Sequence, residues 1–231
     1  MKSRLYTWAL LILPPLFFLF GLIVLVALYS KESLNETAFS ERITDNIPYL
    51  LFYAQVFMLF LLLIYSKVHA ANIVLDTFKS PTLVKDLSLG VLLGSLLALC
   101  YFKFGILEGI THLQRTFGDY VPTGETSNSV SKNLSIFFIA NVLLAPFVEE
   151  NIYRNIAFRN LRQKYSGTTT VIVTSLMFGL LHWVGGFWYI LITGILVGIP
   201  FGIVQLKKET ILLVFTAHFS LNLIEFILSL D

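Results

Sequence analysis

Six stretches of the chain long enough to approach a membrane span contain no Asp, Glu, Lys or Arg: 5–29, 46–66, 87–102, 133–148, 165–206 and 210–224. A lipid hydrocarbon layer about 30 Å thick takes roughly 20 apolar residues to cross as a helix. A chain cut into pieces of this length is therefore constrained to a helical membrane bundle. The fifth stretch, 42 residues long, exceeds one span, and Gly185-Gly186 is its natural break. Seven helices are expected, near 5–29, 47–66, 87–106, 134–160, 168–184, 187–206 and 210–229. None of the runs alternates with the period of two that an outer-membrane barrel requires. Composition agrees, with 56% hydrophobic and 13% charged residues, against about 25% charged in a soluble domain. A net charge of +2 gives no reason to expect a nucleic-acid partner, and a lone cysteine, Cys100, forms no intrachain disulfide.

The first run is too long for the core of a signal peptide, about 7–15 residues, and reads as a retained helix kinked at Pro14-Pro15. Alternate loops differ in basic residues. Lys2, Arg4, Lys67, Lys79, Lys85, Arg154, Arg159, Arg162, Lys164, Lys207 and Lys208 fall on one side, and Lys31, Arg42, Lys103, Arg115 and Lys132 on the other. Cytoplasmic loops carry the Lys/Arg excess, so the N-terminus is expected in the cytoplasm; the expected location of this multi-pass chain is a bacterial cell membrane. Residues 104–133, with Pro122, Gly124 and a Ser/Thr/Asn-rich stretch, read as the longest loop. Gly90 and Gly94, and again Gly194, Gly198 and Gly202, recur every four residues. Small residues at that spacing let helix backbones approach closely in lipid.

A charged side chain near the bilayer centre costs roughly 2.5–3.5 kcal/mol even on a lenient scale, so polar groups inside these runs need a partner or a task. Glu149 and Glu150 close the fourth run, and Arg154 lies four residues after Glu150, placed to pair with it on one helical face. Glu149 is turned about 100° away. A simpler alternative ends the helix at Val148 and leaves both glutamates among lipid headgroups. His182 and His218 sit inside apolar runs, whereas His69 and His112 are assigned to loops. Phe178 precedes His182 by four residues, and Asn222 follows His218 by four. Two side-chain N–H donors on one helical face suit the stabilisation of an oxyanion. Glu225 reads as interfacial or as a packing partner.

Glu149-Glu150-x-x-x-Arg154, Phe178-x-x-x-His182 and His218-x-x-x-Asn222, in this order on successive hydrophobic helices, resemble the three motifs of the CPBP family. That family comprises type II CAAX prenyl proteases and related bacteriocin-processing and abortive-infection proteins. The resemblance covers about residues 134–229. It implies an all-α polytopic bundle with an intramembrane polar cavity, in which 1–133 supplies N-terminal helices and loops and 134–231 the catalytic core. It implies an intramembrane, glutamate-dependent endopeptidase. Glu149 would be the base that activates water, His182 would orient that water, and His218 with Asn222 would form the oxyanion hole. Glu150, Arg154 and Phe178 would give structural support. The partners would be a peptide or membrane-protein substrate and the lipid bilayer.

No cofactor is expected. A zinc ion on Glu149, His182 and His218 is the alternative, since zinc accepts two His and one carboxylate with water in the fourth place. A non-catalytic adaptor or immunity protein would bind a peptide in the same cavity without cutting it. A proton-relaying transporter is a third reading.

Overall fold

The computed structural model describes residues 2–32, 34–121, 133–208, 210–228 and 230. Pro122, Gly124 and Lys132 lie outside the described residues, as do the side chains of Lys2 and Arg4. The described residues form helices and no strands: α1 Lys2–Tyr29, α2 Glu36–His69, α3 Ile73–Phe78, α4 Leu83–Phe102 and α5 Ile106–Phe117. After these come α6 Leu134–Arg162, α7 Gly167–Leu181, α8 Phe187–Lys208 and α9 Leu212–Leu228. Five of them (α1, α2, α4, α6 and α8) are long and apolar enough to cross a membrane, and α7 and α9 are shorter apolar helices. The chain is an integral membrane protein. Large apolar side chains such as Phe20, Phe60, Leu92, Leu176 and Ile195 are exposed around the bundle, as lipid-facing positions require.

The long apolar run divides where the glycines lie. α7 starts at Ser166, whose hydroxyl accepts the Thr169 N–H at 3.1 Å. It stops at His182, and Gly186 then turns the chain with a φ of +99° that a side chain would resist. α6 is continuous from Leu134 to Arg162 but widens into π-helix at 138–144 and 151–157. α8 does the same at 194–198. Pro146 and Pro200 follow the first and the last of these stretches by two residues. A proline removes one N–H from the ladder, and a π-turn is one way to rearrange the hydrogen bonds around the gap.

Two regions differ from the sequence reading. α2 begins at Glu36, eleven residues before 47, because its polar first turns are helical and capped by Asn35 Oδ1 on the Ala38 N–H at 2.9 Å. A count of apolar residues alone does not register such an extension. Residues 106–117, assigned to a loop, form α5, and α4 ends at Phe102 rather than near 106. Ile106, Leu107, Ile110 and Leu113 recur at helical spacing and carried the signal for α5. The loop histidines are likewise helical: His69 closes α2 and His112 lies in α5.

The glycine ridges decide the packing. A Cβ on Gly90 would stand 2.6 Å from Thr216 Cβ, and one on Gly94 would stand 2.8 Å from Ser220 Cβ, so α4 presses directly on α9. Gly198 meets Ser175 in the same way, and Gly179 meets Gly194, joining α7 to α8. These contacts hold in place the two helices that carry His218 and His182.

Candidate active site

Glu149 and Glu150 are adjacent on α6, and both are buried, at 3% and 0% exposure. The helix runs nearly four turns past Val148, to Arg162, which removes the headgroup alternative. Glu150 Oε1 lies 2.8 Å from His218 Nδ1, and its Oε2 lies 3.4 Å from Arg154 Nε. The Arg154 guanidinium is itself fully buried, stacked 4.0 Å from the centre of the Phe178 ring and 5.5 Å from that of Phe201. Its Nη2 reaches the Gly198 carbonyl at 3.5 Å, at the end of the π-helical stretch in α8. Arg154, counted at the sequence level among the basic loop residues, is thus a residue of the bundle interior.

Glu149 faces the other way. Its Oε1 accepts a hydrogen bond from Gln55 Nε2 on α2 at 2.7 Å, and its buried Oε2 has no hydrogen-bond partner. Glu149 lines a cavity of ≈ 1340 Å³ that His182, His218 and Asn222 also line. His182 caps the end of α7 with Nδ1 2.8 Å from the Phe178 carbonyl. A carbonyl can only accept, so the Nδ1 proton is fixed there, and the neutral ring keeps a lone pair on Nε2. His218 Nδ1 is fixed likewise by a carboxylate, Glu150, rather than a carbonyl. Asn222 donates from Nδ2 to the Asn141 carbonyl at 2.7 Å, with Asn141 Oδ1 3.4 Å away. Both are hydrogen bonds from Nδ2, and the longer one, to Oδ1, is the weaker. All seven motif residues are brought together: Glu150 and Arg154 as a packed support, Phe178 between that support and the cavity, and the other four on the cavity wall.

Three further residues join the site. Gln55 holds one oxygen of Glu149. Asn141 bonds Asn222 and donates from Nδ2 to Glu225 Oε2 at 3.1 Å. Glu225, read as interfacial or packing, lines the cavity through that bond. Gln55 and Asn141 are lone amides in the middle of apolar runs. The cost of a buried polar group would have singled them out, had it been applied to neutral amides as well as to charges and histidines.

Above the cavity, α5 and the turn after it are tied down by Asp119. Its carboxylate accepts the backbone N–H groups of Phe187 at 2.9 Å and Trp188 at 3.4 Å, in the first turn of α8. Partial burial raises the Asp119 pKa, but these bonds, the Tyr120 N–H and the Gln114 amide outweigh it and hold the carboxyl below its usual range. Burial and the neighbouring Asp119 push the Tyr120 phenol up to about 12, and its hydroxyl bonds the Trp183 carbonyl.

Among the described residues, no group of three or more His, Cys, Asp and Glu side chains is placed to hold a metal ion. No curated protein and no solved structure matches the chain. Residues 131–224 match the family model described as type II CAAX prenyl endopeptidase Rce1-like, a stretch that contains every motif residue from Glu149 to Asn222. The family is one of CAAX-type intramembrane endopeptidases within the CPBP group. This C-terminal part, which brings Glu149, His182, His218 and Asn222 to the cavity wall, is thus similar to the Rce1-like type II CAAX prenyl endopeptidases.

Proposed function

We propose that the chain hydrolyses a peptide bond of a peptide or membrane-protein substrate inside the membrane, using a water activated by Glu149. One observation carries this reading. Glu149, His182, His218 and Asn222, from three helices, border a single cavity in which one Glu149 oxygen has no protein partner. Amide hydrolysis needs a proton acceptor and a place for a developing oxyanion, and these groups supply both.

In this mechanism a water lies between Glu149 Oε2 and His182 Nε2, whose lone pair accepts one of its hydrogens. As the water oxygen bonds to the substrate carbonyl carbon, Glu149 takes the other proton and charge moves onto the carbonyl oxygen. Asn222 Nδ2 and His218 Nε2 donate to that oxygen. For this His218 carries a proton on both nitrogens, with Glu150 as counter-charge to the imidazolium. The tetrahedral species then collapses, the C–N bond breaks, and Glu149 returns the proton to the departing amine.

The reaction is read as metal-free. What supports this is that, among the described residues, no three His, Cys, Asp or Glu side chains are grouped to hold an ion as zinc requires. Cleavage that survives a chelator, by protein with no bound metal on elemental analysis, is the expected result.

The direct test compares protein termini in membranes from cells expressing the wild type and the Glu149→Gln protein, at matched levels of insertion. New termini confined to the wild type support the reading. Identical termini in both would leave a peptide-binding protein without catalysis.

A further inference from the structure

The two ends of the bundle differ in charge, and the cavity reaches only one of them. One end is marked by Asn160 on Thr7 at 2.8 Å, Arg159 by Asp76 at 3.9 Å and Thr210 on the Lys79 carbonyl at 3.2 Å. These contacts gather the start of α1, the end of α2, α3, the end of α6 and the α8–α9 link on one face. That face carries Lys67, Lys79, Lys85 and, beyond them, the cluster from Arg159 to Lys164 and the pair Lys207-Lys208.

The opposite face is marked by Asn46 on Tyr29 at 3.0 Å, Tyr49 on Asn133 at 3.1 Å, and Asp119 on the start of α8. Its basic residues in the described chain are Lys31, Arg42, Lys103 and Arg115. Removing the interior Arg154 from the count leaves the asymmetry in place. An excess of Lys and Arg in short loops marks the cytoplasmic side.

The cavity runs from the Lys/Arg-poor face inward. Ile43, Gly105, His112 and Tyr120 line its outer part, and Met58, Glu149, Phe178 and Val197 its inner limit. Beyond that limit the bundle is closed by buried Val148, Ile152, Arg154 and Phe201, and no residue of the basic face contributes to the wall. Its volume of ≈ 1340 Å³ exceeds the roughly 300–1,000 Å³ of small-molecule pockets and suits a stretch of polypeptide.

Resting on the protease reading above, we infer that the site takes its substrate from the extracytoplasmic side of the membrane. The substrate class is an exported peptide, or the outward-facing segment beside a membrane anchor, rather than a chain end presented from the cytoplasm. The carbonyl to be cut descends past α5 and the Asp119 tie to reach Glu149.

Because Cys100 is the single cysteine, a Cys100→Ser background allows a clean test by labelling. His112→Cys reports on the cavity mouth and Lys164→Cys on the basic face. Both positions are exposed, and Glu41→Cys and Lys207→Cys form a second pair if either of the first inserts poorly. Intact bacterial cells are treated with a membrane-impermeant maleimide, then again after permeabilisation. The expected result is labelling of His112→Cys in intact cells and of Lys164→Cys only after permeabilisation. The reverse pattern, or labelling of both or neither before permeabilisation with both reactive afterwards, overturns the inference. Labelling does not need catalysis and works equally in the Glu149→Gln protein, so it reads the side of access separately from the protease reading.

Discussion

Glu149 and Glu150 are neighbours in sequence yet belong to two regions built on opposite plans. Around Glu150 everything is closed: a carboxylate, a guanidinium and an imidazole are packed against Phe178 and Phe201, none of the acid or the arginine reaching solvent. Around Glu149 one oxygen is fixed by Gln55, the other is buried without a hydrogen-bond partner, and the residue lines a large cavity. Buried charges persist where they are paired, so the first region reads as architecture. An acid kept only half-bonded at a cavity wall reads as chemistry. The lesson is that identical side chains one residue apart are sorted by helical phase: a turn of about 100° decides which of them meets Arg154.

Substitutions should separate the two regions. The largest effect is expected for Arg154→Ala, which leaves Glu150 buried without its cation. Breaking a buried pair costs about 3–5 kcal/mol, so the variant should lose thermal stability and folded yield in detergent, whatever its activity. On the cavity side Asn222→Ala should keep the fold and lower the cleavage rate by about 10²–10³, the loss typical of one oxyanion donor. Stability lost in step with rate would move Asn222 into the closed region.

Gln55→Ala comes next. A hydrogen bond to a charged group is worth roughly 1.5–3 kcal/mol, so the turnover rate should fall by about 10–100-fold. Gln55 is a positioning residue, and its loss should also shift the pH profile of turnover, with KM little changed and partial recovery in Gln55→Asn. A profile identical to the wild type would reduce Gln55 to packing.

The smallest effect lies at the mouth. Asp119→Asn weakens a cap worth about 0.5–2 kcal/mol and should chiefly raise proteolytic nicking near α5. The Asp119 carboxyl is held below its ordinary range, so its contribution is complete above the unfolded value and lost as pH falls through the depressed one. Wild-type nicking should therefore rise only in acid below the usual carboxylate range, and the Asn variant should lack that acid step.

Much of this was legible in the sequence because lipid imposes a simple rule. The charge-free runs give the number and order of the apolar helices, and Gly185-Gly186 divides the longest one where the structure does. The spacing of Gly90 and Gly94 foretells the close approach of α4 to α9. α5 escaped because a short amphipathic helix obeys helical periodicity rather than an apolar-length rule. Gln55 and Asn141 escaped because a neutral amide leaves a run uncharged while still demanding a partner. Their bonds join α2 to α6 and α6 to α9 over 94 and 81 residues of sequence, which no local spacing encodes.

The central division of labour is tested most directly by placing Glu149→Gln and Glu150→Gln side by side, purified in lipid vesicles with the substrate identified from the terminus comparison. For Glu149→Gln the expected result is an unchanged melting temperature and a cleavage rate about 10²–10⁴ lower, the range for a lost general base; Glu150→Gln should melt earlier. A Glu149→Gln protein that cleaves at the wild-type rate would contradict the account.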